Sequence, residues 1–408
     1  MGAEFQITFP TAVASQDQYS LQKVADTALK ATVRFWFLLT VIGQLMFAFT
    51  VASFYGMTAV RGNLHASSKF ITHGYVPGDR VGNLALSIHL ISAVIVNLVG
   101  AIQLIPQVRD RAPSFHRWNG RVYIVTAFAI SIAGLYMTWI RGSVGDISQH
   151  LGSSLMAVLI MVCAVMALRY ALARDFKTHR RWALRLYLVV SASLFIRAGI
   201  FLSIFLNHGA FGFDPSTFSG PFLTFITFAQ YLVPLAVLEI YLRTQERGGA
   251  SARIAMAAGM LVLTVAMGVG IFAVSMAIWV PQVKAAYDPR KSIAETLSAT
   301  IASSGVDQAA KQYHELKAAG LATYNFDESE LNNLGYQLMH AKKFKEAVRI
   351  FQLNVEAYPQ SSNVYDSLGE GYMNDGNKPQ AIANYQKSLE LNPKNRGAVE
   401  MLRRLNAP

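Results

Sequence analysis

A chain of 408 residues that is 53% hydrophobic, only 15% charged and of positive mean hydropathy is too apolar for an ordinary soluble domain. Its formal net charge of +12 sits in the apolar part: residues 1–283 carry 21 Lys+Arg against 10 Asp+Glu, and residues 284–408 carry 15 against 14. Basic loops that orient membrane spans account for that excess, so nucleic acid is not implied as a partner. The single cysteine, Cys163, lies in an apolar run, which excludes a disulfide framework and any CxxC metal or redox motif.

In chain order, residues 1–32 are polar and mixed and read as a cytoplasmic segment, either a short surface helix or a loose stretch. No cleavable signal peptide is read there, because the first apolar run starts near Phe35 and has the length of a retained span. Seven apolar runs follow, about 34–56, 81–105, 120–140, 147–170, 183–206, 219–242 and 255–280, each near the roughly 20 residues that cross a bilayer. Together they make residues 33–281 a seven-helix transmembrane domain. Pro106, Pro113 and Pro221 fall at run ends, where proline starts or stops a helix cheaply.

The N-terminal segment and the second, fourth and sixth inter-span loops share one side and, with the span ends that flank them, hold 16 Lys+Arg. The opposite loops hold Arg61, Lys69, Arg80 and Arg141. By the positive-inside rule the first side is cytoplasmic, and seven spans place the C-terminus in the periplasm of a bacterial inner membrane. Residues 282–306 read as a juxtamembrane linker with a short helix. From Asp307 the chain turns charged and helical with a 34-residue period: Leu334-Gly335, Ala347, Phe351 and Pro359 recur as Leu368-Gly369, Ala381, Tyr385 and Pro393. This pattern resembles the tetratricopeptide repeat, which implies paired antiparallel helices over 307–408 and a protein or peptide partner, with 307–320 and 396–405 as caps.

The stretch Val81–Leu206 looks like one unit written twice. His89 in an apolar run is followed after 27 residues by His116-Arg117, and His150 is followed after 29 by His179-Arg180. Ionisable groups in or beside a bilayer are expensive, so their reuse at matching places points to a site. Three readings compete. In the first, His89 and His150 in the outer half and His116 and His179 at the cytoplasmic edge are axial ligands of two b-type haems, a route for electrons across the bilayer. Gln103 then shares the small-residue face of His89, and Arg117, Arg180 and Arg197 neutralise propionates. The depths of His89 and His150 differ by roughly 7 Å, which weighs against the outer haem.

In the second reading the two His-Arg motifs, each at a helix N-terminus and flanked by Arg109, Arg111, Arg174, Lys177 and Arg181, anchor a lipid or polyprenyl phosphate. In the third they are orienting charges and satisfied histidines without a ligand. A zinc site is disfavoured, since no Cys or acid cluster joins the histidines. Arg197, deep in the fifth span, must face the interior and find acceptors, with Glu239 at the wrong depth to serve. His65, His73 and His208 fall in outer loops. No nucleophile–base pair, phosphate loop or zinc motif appears, so hydrolysis and nucleotide chemistry are unsupported.

His89 with Gln103, His116-Arg117-x-x-Gly120-Arg121-x-Tyr123, His179-Arg180-Arg181-Trp182 and Arg197 resemble a bacterial family of predicted membrane proteins, domain of unknown function 2306, over about residues 35–245. That resemblance implies a membrane protein and no settled activity. More distantly, histidines on four successive spans are similar to transmembrane di-haem cytochromes b, which implies b-type haem. The expectation is therefore an all-α inner-membrane bundle with a periplasmic repeat tail, transferring electrons through haem or else binding lipid phosphate as a scaffold.

Overall fold

The computed structural model describes residues 11–61, 74–76, 78–214, 218–320 and 322–406. The described residues are helical throughout, apart from turns and one two-residue parallel strand pair. They form two compact units. The first comprises Met1–Ala52, Leu84–Leu202 and Ser216–Val280; the second comprises Ser53–Asn83, Ser203–Pro215 and Pro281–Pro408.

The apolar runs become α1 (Thr11–Val60), α2 (Arg80–Gln103), the short α3 (Pro106–Arg111), α4 (Pro113–Tyr136), α5 (Ile147–Leu172), α6 (Phe176–Val190), α7 (Ala192–Asn207), α8 (Pro221–Arg247) and α9 (Ala250–Val274). Six helices are long and apolar enough to cross a membrane, and α6 with α7 makes a seventh if the bent pair is one span. The chain is a multi-pass membrane protein. Proline occupies the first turn of α3, α4 and α8, where its missing N–H is no loss. Asp146 and Asp175 cap α5 and α6, accepting hydrogen bonds from backbone N–H groups of the first turn.

Two differences from the sequence reading concern α1 and α6–α7. The polar N-terminal stretch from Thr11 is not a separate surface helix; it runs on into the first span as one 50-residue helix. The fifth span bends by 46° between α6 and α7. At the bend the Ser191 hydroxyl donates to the Tyr187 carbonyl (2.7 Å) and accepts from Gln44 Nε2 of α1 (2.8 Å), while Tyr187 Oη donates to Gln44 Oε1 (3.0 Å). A hydroxyl that takes a carbonyl of its own helix commonly bends it, and Gln44 locks the result by satisfying both side chains.

Between helices in lipid there is little hydrophobic force, so close approach through small residues does the packing. A Cβ on Gly270 of α9 would collide with the Ala198 backbone of α7, and one on Gly152 of α5 would meet Thr227 of α8 at 2.6 Å. One core joins Val96, Tyr123, Ile160, Cys163, Leu186 and Tyr231; another joins Leu194, Ala198, Ile271 and Trp279 with Leu39 and Phe47 of α1.

The second unit holds α10 (Val280–Tyr287), β1 (Lys291–Ser292), α11 (Ile293–Ser304), α12 (Val306–Ala318), β2 (Tyr324–Asn325), α13 (Glu328–His340), α14 (Phe344–Ala357), α15 (Ser362–Asn374), α16 (Lys378–Leu391) and α17 (Arg396–Asn406). The stretch read as a linker is part of the repeat core. Ile293 and Leu297 on α11 are fully buried with Ile301 close behind, an i, i+4, i+8 stripe that packs on Leu331, Leu334 and Phe351. In each repeat the Leu-Gly step faces an aromatic ring: a Cβ on Gly335 would strike Phe351, and one on Gly369 would lie 3.0 Å from the Tyr385 ring. Ala347 and Ala381 are fully buried in the same seams.

Candidate functional site

The end of α2 and the start of α4 cross closely. Gln103 Nε2 donates to the His116 carbonyl (2.9 Å) and Asn119 Nδ2 to the Val99 carbonyl (2.9 Å). Glycine makes the approach possible, since a Cβ on Gly100 would stand 2.9 Å from the Tyr123 ring and one on Gly120 would be 3.4 Å from Gln103. These contacts fix His116 and Tyr123 on one face of α4.

The second motif is set by α5 and α6. Hydrogen bonds from the Thr178 hydroxyl and backbone hold the exposed Asp175 carboxyl below the usual carboxylate range. His179, one turn into the capped helix, turns its Nδ1 to the Ala167 carbonyl at 2.8 Å. A carbonyl only accepts, so the Nδ1–H donates here, and in that tautomer Nε2 carries a lone pair.

His116 and His179 thus come from different helices onto one cavity of about 70 Å³, which Gln103, Gly120, Tyr123 and Ala167 also line. Two of its polar atoms, His116 Nδ1 and Tyr123 Oη, are buried without a hydrogen-bond partner. Tyr187, the second motif's counterpart of Tyr123, closes one side and donates to Gln44. The tyrosine ending each His-Arg motif was a sequence signal not used above: it follows its histidine by seven residues in one copy and eight in the other.

His89 and His150 are not brought together. His89 lies against Gly134 of α4, its Nδ1 buried and unpartnered, within reach of the Arg197 charge. His150 Nε2 is 3.3 Å from the Ser143 carbonyl and its ring stands edge-on to Trp139. The inner cavity has room for a few waters at roughly 30 Å³ of liquid volume each. Organic ligands of cofactor size fill roughly 300–1,000 Å³. Neither pair as packed admits a porphyrin, and haem-based electron transfer finds no support in this arrangement. Among the described residues no three His, Cys, Asp or Glu side chains gather in a metal-holding group.

Arg197 donates to the Ser193 carbonyl (2.6 Å) and lies 4.5 Å over the Phe47 ring. Glu239 instead receives two hydrogen bonds from Arg185, at 2.8 and 2.6 Å. Arg117 is exposed and donates to Ser114 (3.0 Å). His208 sits in the turn after α7, and His65 and His73 lie outside the described residues.

A second cavity, of about 1,100 Å³, runs between α1, α6, α7, α8 and α9. Phe195, Leu202, Ile226 and Met267 line its apolar length, and Lys30, Arg34 and Arg180 stand at one end with Gln245. Among the described residues these three cations form no ion pair, whereas Arg181, Arg185 and Arg253 pair with Glu246, Glu239 and Asp26. Lys30 and Arg34 were missed in the sequence because they sit at the start of the first span and only packing brings them beside Arg180. Leu104 and Tyr187 line both cavities.

Comparison with known families fits this architecture. Residues 86–233 match the family model described as Predicted membrane protein (DUF2306). Residues 362–395 match the tetratricopeptide repeat model, so the tail carries a protein-interaction repeat. The matched membrane segment contains both His-Arg motifs, His89, His150 and Arg197. No curated protein matches the chain.

Proposed function

We propose that this membrane protein binds a long-chain anionic amphiphile, such as a lipid or polyprenyl phosphate, and that its repeat tail recruits a protein partner. One observation carries the reading: a large apolar cavity ending in three cations that, among the described residues, no carboxylate neutralises. In the same helices Arg181, Arg185 and Arg253 each have a carboxylate partner, so a cluster of three cations lacking one is where an anionic headgroup gains most. Of the two His-Arg motifs, only the second contributes, through Arg180. The positive-inside count supports a cytoplasmic side for these cations and a periplasmic tail. The protein then senses or presents a lipid on one side and holds a partner on the other.

The experiment is mass spectrometry of lipids retained by the protein purified in mild detergent. A specific anionic lipid should accompany the wild type, and Arg34→Ala with Arg180→Ala should lose it while the fold persists. Equal retention of bulk lipids by both proteins would overturn the reading.

A further inference from the structure

We propose that the cavity between His116 and His179 is a site for a single divalent transition-metal ion, with His116 Nδ1, His179 Nε2, Tyr123 Oη and the Gln103 amide oxygen as donors. The reading is independent of the amphiphile cavity. It starts from two buried polar atoms without partners, His116 Nδ1 and Tyr123 Oη, on the walls of one 70 Å³ void. Buried polar atoms are nearly always satisfied, so two orphans facing one void call for a partner inside it, an ion or an ordered water. Tyr123 is 95% buried (5% exposed), so bulk water does not complete its shell.

His179 supplies the second argument. Its Nδ1–H is held by the Ala167 carbonyl at 2.8 Å, the support that fixes a metal-binding imidazole's tautomer and aims its other nitrogen. Gln103, tied by its amide nitrogen to the His116 carbonyl, leaves its oxygen free to turn toward the same void it lines. Two imidazole nitrogens with two neutral oxygens suit zinc, copper, iron or nickel over calcium or magnesium, which prefer carboxylates. The void has room for an ion with a water or two, and not for an organic ligand of cofactor size. His116, His179 and Gln103 were already candidate site residues in the sequence; Tyr123 as a donor was not, since no Cys or acid ligand marks a metal motif there.

The test uses full-length protein in detergent, stripped with a chelator and titrated with Co²⁺ alone, read by visible absorption and by equilibrium dialysis. The expected result is one equivalent bound with the d–d bands of a low-coordinate nitrogen/oxygen site. His179→Ala and His116→Ala should each abolish those bands. Tyr123→Phe removes only an unpartnered hydroxyl, leaves the melting curve unchanged, and should weaken Co²⁺ binding at least tenfold. Arg180→Ala should lose the amphiphile yet bind Co²⁺ as the wild type does, which separates the two readings. Binding equal in wild type and the double histidine variant would overturn the proposal, leaving the void a water site. A porphyrin absorption band in the purified protein that depends on His116 and His179 would overturn it too, in favour of haem.

Discussion

Arg185 on α6 directs both its Nε and Nη2 onto one oxygen of Glu239 on α8, at 2.8 and 2.6 Å, and lies 4.7 Å over the Trp182 ring. Arg180, a turn and a half earlier on the same helix, has no carboxylate among the described residues and borders the large cavity instead. The two arginines on one helix thus have different surroundings, an ion pair for Arg185 and the cavity edge for Arg180. Replacing Glu239 by Gln leaves Arg185, only 21% exposed, without its counter-charge. About 1–2 kcal/mol of stability should be lost, below the full penalty for a buried pair because Glu239 is partly solvated and Trp182 remains. Thermal unfolding in detergent reads this, and Arg180→Ala should leave the midpoint unchanged.

The bend at Ser191 depends on Gln44. Gln44→Leu removes the acceptor of the buried Tyr187 hydroxyl and the donor to Ser191 together. Orphaning a buried hydroxyl costs about 1–3 kcal/mol. The double change Gln44→Leu with Tyr187→Phe should recover part of that loss. Comparing melting curves of the single and double variants checks it, and a double variant worse than the sum would refute the coupling.

In the tail, Gly335→Leu should be the most damaging single change in the repeat seams, since a Cβ there already meets the fully buried Phe351 ring. Overpacking of this kind costs about 1–3 kcal/mol. Gly369→Leu, against Tyr385 at 3.0 Å, should be milder. Hydrogen exchange of the full-length protein should show α13 and α14 opening sooner in the first variant, and α15 and α16 in the second.

Burial raises the Glu370 carboxyl, opposed by the hydrogen bond from Tyr336 (2.8 Å) and aided by the charges of Asp366 and Asp214; burial raises Asp366 as well. A carboxyl with a raised native pKa binds its proton more tightly folded than unfolded. Its stabilising contribution is therefore full below the ordinary carboxylate range and is lost as pH rises through the native value. Protection of α15 against hydrogen exchange should increase when pH falls from 7 toward 5. The increase should shrink in Glu370→Gln.

The asymmetry of basic residues predicts orientation. A reporter active only in the periplasm should be active when fused after Pro408 and silent when placed after Arg111. The reverse pattern would put the cations of the large cavity on the outer face.

The all-α membrane class, the seven apolar runs, the prolines at helix starts and the 34-residue tail register were legible in residue order alone. Each is a local property: about 20 apolar residues satisfy a bilayer, and a repeated Leu-Gly, Ala and aromatic spacing satisfies a helical hairpin. The tail's true start was less visible, because the Ile293, Leu297 and Ile301 stripe is short and follows a span directly. Which charges pair, and which do not, only the tertiary structure decided. Arg180, Arg181 and Arg185 look alike in sequence, yet α8 offers Glu246 and Glu239 to two of them and α1 brings Lys30 and Arg34 to the third. The histidines divide likewise. His116 and His179 converge because Gly100 and Gly120 let α2 and α4 touch and Ala167 holds His179, while His150 turns to Ser143 and Trp139. Such choices rest on contacts between residues tens of positions apart, whose geometry no local periodicity encodes.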